Sequence, residues 1–176
     1  MKIEGSNKIA QLKVIIPDVF YDFRGEYVET FNARRYEFYD DHGQRLEFVE
    51  DDISVSRQNV LRGLHGDSET WKLVQCLYGE FYYVVAVMRP VSPTHLNWES
   101  FILNDRNRKQ VLVPAGCTNG HLVLSEKCIF SYKQSQYYEG AEAQFTVRWD
   151  DPKLNIFWPI RNPILSQRDS SASFLE

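Results

Sequence analysis

Phe81 to Met88, Phe-Tyr-Tyr-Val-Val-Ala-Val-Met, is the stretch that most narrows what this chain can fold into. It is apolar throughout and barely alternates, the pattern of a strand buried on both faces in a sandwich or barrel wall. A second apolar run, Trp71 to Leu77, precedes it across Tyr78-Gly79-Glu80, which predicts a hairpin with glycine in its tight turn. Further strands are expected at Leu12–Phe20, where Pro17 marks an edge or bend, and at Glu26–Phe31, Glu47–Val55, His95–Leu103, Lys109–Val113, His121–Leu124, Cys128–Gln134 and Gln144–Trp149. Asn32 is placed to cap a short helix through about Tyr39, the one clear helix of the chain. Tyr and Phe far outnumber Met, which also favours sheet. Turn signals every eight to twelve residues predict an all-β sandwich, jelly roll or barrel with one or two short helices. No repeat or linker interrupts it, so residues 1–176 are expected to form one domain, with the tail from Asp169 loose at its end.

A formal net charge of −4 argues against a general nucleic-acid binder, so any phosphate site must be local. Cys76, Cys117 and Cys128 are odd in number and unrelated in spacing, and they read as small buried hydrophobes, not a disulfide framework. The N-terminus lacks an apolar signal core, and no segment approaches the about 20 apolar residues of a membrane span. A soluble, cytoplasmic protein is the expectation.

The chemistry gathers in Arg62-Gly-Leu-His65-Gly-Asp-Ser-Glu-Thr-Trp-Lys72-Leu-Val. His65 suits general-base work, and Arg62 and Lys72 are the usual partners of phosphate oxygens. A carboxylate on the other ring nitrogen would fix the tautomer of such a base, and both Asp67 and Asp169 are candidates. Tyr132, Tyr137 and Tyr138 flank a strand end, where a phenol can donate a proton or a ring can stack. Arg24, Arg62 and Lys72 form a candidate cation cluster for a diphosphate, and each also fits a salt-bridged surface residue. Metal ligation is not expected. His65-Gly66-Asp67 lacks a His-x-His pair, and Pro114-Ala115-Gly116-Cys117-Thr118-Asn119 ends on Asn where a ligand histidine would stand. His121, two residues on, substitutes only if the strand register shifts. These residues alone name no reaction.

Taken together, Asp22-Phe23-Arg24-Gly25, Val60-Leu61-Arg62-Gly63-Leu64-His65, Lys72-Leu73-Val74 before Gly79-Glu80, Ser92-Pro93-Thr94, Val113-Pro114-Ala115-Gly116, Tyr132-Lys133, Tyr137-Tyr138, Trp149-Asp150-Asp151-Pro152, Trp158-Pro159 and Leu165-Ser166-Gln167-Arg168-Asp169 resemble, in order and spacing, the nucleotide-sugar 3,5-epimerases typified by dTDP-4-dehydrorhamnose 3,5-epimerase. The resemblance implies a cupin-type jelly roll (double-stranded β-helix), a homodimer, a nucleotide-diphosphate sugar substrate, and catalysis with no metal or organic cofactor. It implies His65 as base, Asp169 as its carboxylate, Tyr132 as general acid, and Lys72 near the C4 carbonyl oxygen. Arg62 matches a sugar-nucleotide contact and Tyr138 an aromatic near the nucleotide. Arg24 and Glu29 match positions that reach into the neighbouring subunit, implying a shared active site.

Departures surround the expected sugar. The family run Pro-x-Gly-Phe-Ala-His-Gly-Phe is here Pro114-Ala115-Gly116-Cys117-Thr118-Asn119-Gly120-His121, so Asn119 and His121 become candidate substrate contacts. Gln-Asp-Asn in the sugar-binding strand becomes Glu50-Asp51-Asp52, making Glu50 and Asp52 candidates too, and the aromatic after the base is replaced by Gly66. His-Gly-Asp with Asn-x-His is similar to the branch acting on GDP-linked 4-keto heptoses in capsule biosynthesis, some members inverting C3 alone and others C3 and C5. The alternatives are a nucleotide-sugar 3,4-ketoisomerase, a non-catalytic sugar-nucleotide binding module and a metal-dependent cupin oxygenase.

Overall fold

In chain order the computed structural model of residues 1–176 has strands β1 (Lys2–Gly5), β2 (Lys13–Ile16), β3 (Val19–Asp22), β4 (Gly25–Val28), β5 (Glu50–Arg57), β6 (Leu61–Gly66) and β7 (Lys72–Tyr78). There follow β8 (Glu80–Val87), β9 (Trp98–Asn104), β10 (Gln110–Val113), β11 (Cys117–Val123), β12 (Lys127–Gln134) and β13 (Phe145–Thr146), then one helix, α1 (Gln167–Ser170). A 3-10 turn lies at Ala141–Ala143. All strand pairs are antiparallel, in a six-stranded sheet ordered β1-β2-β10-β7-β12-β5 and a five-stranded sheet ordered β13-β6-β11-β8-β9. The expected all-β jelly-roll class is what forms.

β8 explains the apolar run at its centre. Phe81, Tyr83, Val85 and Val87 point into the core between the sheets, with Val74 and Cys76 of β7, Val111 and Val113 of β10 and Phe130 of β12. Val84 and Ala86 point the other way, against Leu61, Leu64, Leu122, Val147, Leu154 and Trp158. Each large side chain so buried contributes about 1.5–3 kcal/mol. The outer face of the six-stranded sheet is covered by Tyr36, Phe38 and Trp71 over Ile15, Leu73 and Leu112. Cys76, Cys117 and Cys128 are buried free thiols, as expected of small hydrophobes. No helix is long and apolar enough to cross a membrane.

The structure corrects several expected elements. No helix follows Asn32. Its carbonyl accepts from the Arg35 and Tyr36 amides, both at 2.9 Å, and its side chain from the Arg34 amide at 3.0 Å, closing a single turn. Tyr36 and Phe38 then bury alternate positions, an extended period that ends any helix. Pro17 divides the expected Leu12–Phe20 strand into β2 and β3, the second strand stops at Val28, and only Phe145 and Thr146 of the last expected strand pair. The tail is anchored: Asp169 is 2% exposed, and the Leu175 amide donates to Asp151 Oδ2 at 2.6 Å.

Candidate active site

Two glycines bring β6 and β11 together. A Cβ on Gly63 (φ +116°) would stand 2.6 Å from Gly120 Cα, and one on Gly66 would stand 2.2 Å from the Cys117 carbonyl oxygen. That approach sets Asn119 opposite His65 and His121 opposite Arg62, with a register shift between them. Asn119 Nδ2 donates to the His65 carbonyl at 3.1 Å. The extra residue is on β6, while β11 pairs with β8 without a break, so alternation along β11 puts Asn119 and His121 on one face.

Between this pair of strands and the inner faces of β5, β7 and β12 lies a cavity of about 370 Å³. Its wall carries Arg62, His65, Lys72, Tyr132 and Asp169, and also Asn119, His121 and Tyr138. Eight of the residues singled out in the sequence thus converge.

His65 Nε2 donates to Asp169 Oδ1 at 2.6 Å. Asp169 rides on α1, whose cap is Ser166, its hydroxyl accepting from the Asp169 amide at 3.1 Å. Burial pushes the Asp169 carboxyl up, but hydrogen bonds from His65, Ser166 and the Gly63 amide outweigh it and hold the group ionised below its usual range. An ionised Asp169 fixes the proton on Nε2 and leaves Nδ1 with the free lone pair. Of the two carboxylates open in the sequence, the partner is Asp169. Asp67 instead accepts from the Glu69 and Thr70 amides.

Lys72 is only 9% exposed and its ammonium lies 5.5 Å from the Tyr132 ring centroid. Desolvation lowers its pKa, opposed by the Asp67 and Asp52 carboxylates. Burial, with the Asp52 carboxylate beside it, pushes the Tyr132 phenol up to about 12, so it stays protonated at neutral pH. His121 is 4% exposed, stacked on Phe130 at 4.1 Å and 6°. Desolvation, then Arg62 and His65, push its pKa down to about 3, so it is a neutral imidazole.

Four expected contacts lie outside this wall. Asp52 stands across from Tyr132 on β5, and Glu50 accepts from Gln134 Nε2 at 2.7 Å and the Tyr138 amide at 3.0 Å. Arg24 sits on the β3–β4 hairpin, its Nη2 2.5 Å from Asp22 Oδ2, and Glu29 pairs with Arg35 at 2.9 Å. Neither Arg24 nor Glu29 meets the cavity of its own chain. Conversely, Ser54, Phe130, Gln144 and Arg168 line the cavity without having been expected there. Arg168 Nη2 donates to Thr146 Oγ1 at 2.7 Å, which pins α1 to β13. The clue to it was Ser166-x-x-Asp169, a capping pattern in the tail. Ser54 alternates with Asp52 and Ser56, the mark of a polar inner face.

Comparison with known proteins places the sequence and the fold. The family model for dTDP-4-dehydrorhamnose 3,5-epimerase matches residues 6–176. The dTDP-4-dehydrorhamnose 3,5-epimerase of Shigella flexneri is 37% identical over 165 residues, spanning 92% of this chain and 90% of that protein. The crystal structure of dTDP-6-deoxy-D-glucose-3,5-epimerase from Legionella pneumophila, in complex with dTDP-4-keto-L-rhamnose, superposes with a TM-score of 0.89 at 37% identity, covering 98% of this chain and 92% of that one. The dTDP-4-dehydrorhamnose 3,5-epimerase of Bacillus anthracis, with TDP and PPi bound, gives a TM-score of 0.90 at 34% identity over 99% of both chains. With its cupin-like sheets and a match over nearly its full length, the chain belongs to the dTDP-4-dehydrorhamnose 3,5-epimerase family, isomerases that act on carbohydrates.

Proposed function

We propose that the chain inverts C3, or C3 and C5, of a nucleotide-linked 4-keto sugar by proton transfer from the sugar to His65 and from Tyr132 to the sugar, without a cofactor. The observation that carries this reading is the 2.6 Å His65–Asp169 pair in one cavity with Lys72 and Tyr132. Protons on the carbons flanking a ketone are acidic because the enolate spreads its charge onto the carbonyl oxygen. His65 Nδ1 takes one such proton, and Asp169 stabilises the imidazolium that results. The Lys72 ammonium, shielded from water, holds the charge developing on the C4 oxygen. Tyr132 returns a proton from the opposite face of the ring, which inverts the centre, and solvent restores both groups.

For the substrate, GDP-4-keto heptose of capsular polysaccharide is the reading favoured by His65-Gly66-Asp67 and Asn119-x-His121. Arg62 is assigned to the diphosphate and Tyr138 to the nucleotide side of the cavity, with Asn119 and His121 at the sugar. Glu50 and Asp52 act from behind this wall, the latter on Tyr132. A homodimer supplies Arg24 and Glu29 to the neighbouring site, a role supported by neither residue lining its own chain's cavity.

The test is deuterium uptake from D₂O by NMR, with GDP-linked and dTDP-linked 4-keto sugars offered to wild type, His65→Asn and Tyr132→Phe. Label at C3 or C5 that His65→Asn abolishes is the expected result, and the labelled carbons name the inverted centres. Migration of the carbonyl to C3 would instead make the chain a ketoisomerase, and binding without exchange would make it a binding module. Preference for the dTDP hexose over the GDP heptose would sink the heptose assignment.

A further inference from the structure

Two residues of the cavity wall, His121 and Ser54, each carry a buried polar atom that the fold leaves without a partner. His121 Nε2 and Ser54 Oγ are both buried and neither makes a hydrogen bond. They are neighbours through Phe130, which stacks on the His121 ring and is the register partner of Ser54 across β5 and β12. Phe81 closes on the same imidazole at 5.3 Å and 54°, so two rings fix the plane in which its nitrogens point. The adjacent hydroxyl on β5, Ser56, is already taken: it accepts from Arg62 Nε at 3.0 Å. Buried polar groups in native proteins are nearly always paired, and one left unpaired beside a cavity calls for an explanation.

We infer that His121 and Ser54 form a specificity subsite for a hydroxyl group of the sugar, selecting a substrate that carries a hydroxyl on the carbons outside the ring over its 6-deoxy counterpart. Nε2 of a neutral imidazole donates in one tautomer and accepts in the other, and the serine hydroxyl rotates to match, so the pair meets a hydroxyl in either sense. A methyl group in the same place leaves both atoms unpaired, and this is how a site rejects an analogue lacking a hydroxyl. The inference deepens the epimerase reading and rests on it for the sugar's presence in the cavity.

The test is calorimetric binding to the full-length chain of stable sugar pairs differing by one hydroxyl: GDP-mannose against GDP-6-deoxymannose, and dTDP-glucose against dTDP-6-deoxyglucose. Wild type is expected to hold the hydroxylated member of a pair at least about tenfold tighter. His121→Phe should erase that ratio by weakening the hydroxylated sugar alone, His121→Gln should keep part of it, and Ser54→Ala should reduce it. Thermal unfolding checks that each variant is folded, and Ser54→Ala decides the matter if His121→Phe is not. Equal affinity for both members in wild type, a ratio unchanged by the substitutions, or no binding of any of the four sugars overturns the inference. A ratio that survives where no 4-keto sugar exchanges deuterium keeps the subsite and ends the epimerase reading. Exchange without any such ratio does the reverse.

Discussion

At the scale of single residues, the His65–Asp169 pair and His121 show one cavity handling two imidazoles in opposite ways. His65 keeps a carboxylate on Nε2, whereas His121 has two phenylalanine rings and no partner. Asp169→Asn replaces an acceptor-only group with one that can also donate, so the imidazole loses its fixed tautomer and its counter-charge. The expected outcome in steady-state kinetics is a kcat lower by about 10²–10⁴ with KM nearly unchanged. His121 acts instead on stability. Its folded pKa lies near 3, below the ordinary 6.5, so between those values the unfolded chain binds a proton that the folded chain refuses. Stability is then fully present above pH 6.5 and is lost as the pH falls through that window. By pH 5 the loss is about 2 kcal/mol. Urea unfolding at pH 7 and pH 5 should show it in wild type, and His121→Phe should remove that part of the difference.

At the scale of elements, the site depends on how closely β6 and β11 approach. A Cβ at Gly66 meets the backbone oxygen of Cys117, and one at Gly63 meets the backbone of Asn119 and Gly120 at a left-handed φ. Neither neighbour is a flexible side-chain end, so the strands themselves must part. Gly63→Ala and Gly66→Ala are each expected to cost about 3 kcal/mol or more in urea unfolding. Gly5→Ala, with nothing within 4 Å, should cost little. These elements were unequally legible in the sequence. The β7–β8 hairpin was plain because both faces of β8 are buried and Gly79 takes a positive φ (80°) at the turn. The supposed helix after Asn32 failed because a side-chain cap closes one turn as readily as it starts a helix. Helix α1 was missed because four residues carry no periodicity, yet it delivers Asp169 to a histidine 104 positions earlier. No local pattern encodes that meeting: the residues alone left Asp67 and Asp169 both open, and the resemblance of Leu165-Ser166-Gln167-Arg168-Asp169 is what pointed to Asp169. Ser54 and Phe130 were missed for a related reason, since each reads as ordinary strand until the two sheets enclose a cavity between them.

At the scale of the whole molecule, the β3–β4 hairpin belongs to neither large sheet. Two strands alone are marginal in water, and this pair presents Phe20, Tyr21, Phe23 and Tyr27 at 60, 72, 99 and 68% exposure. A patch of aromatic rings on a hairpin fits a surface that another subunit covers. Under the proposed homodimer, Arg24 on that hairpin serves the partner's cavity, which makes the two sites mutually dependent in a way that complementation can read. An Arg24→Ala chain keeps its own His65 but supplies no guanidinium to its neighbour. A His65→Asn chain has the opposite defect. Each variant alone should be nearly inactive. When the two are unfolded together, mixed in equal amounts and refolded, about half of the dimers are mixed, and each of these regains one intact site. The activity recovered should therefore be about a quarter of wild type per chain, with recovery tracking mixed dimers resolved by native mass spectrometry. If each site were complete within its own chain, mixing would give no more than the average of the two separate activities, and the hairpin's exposed rings would need another occupant.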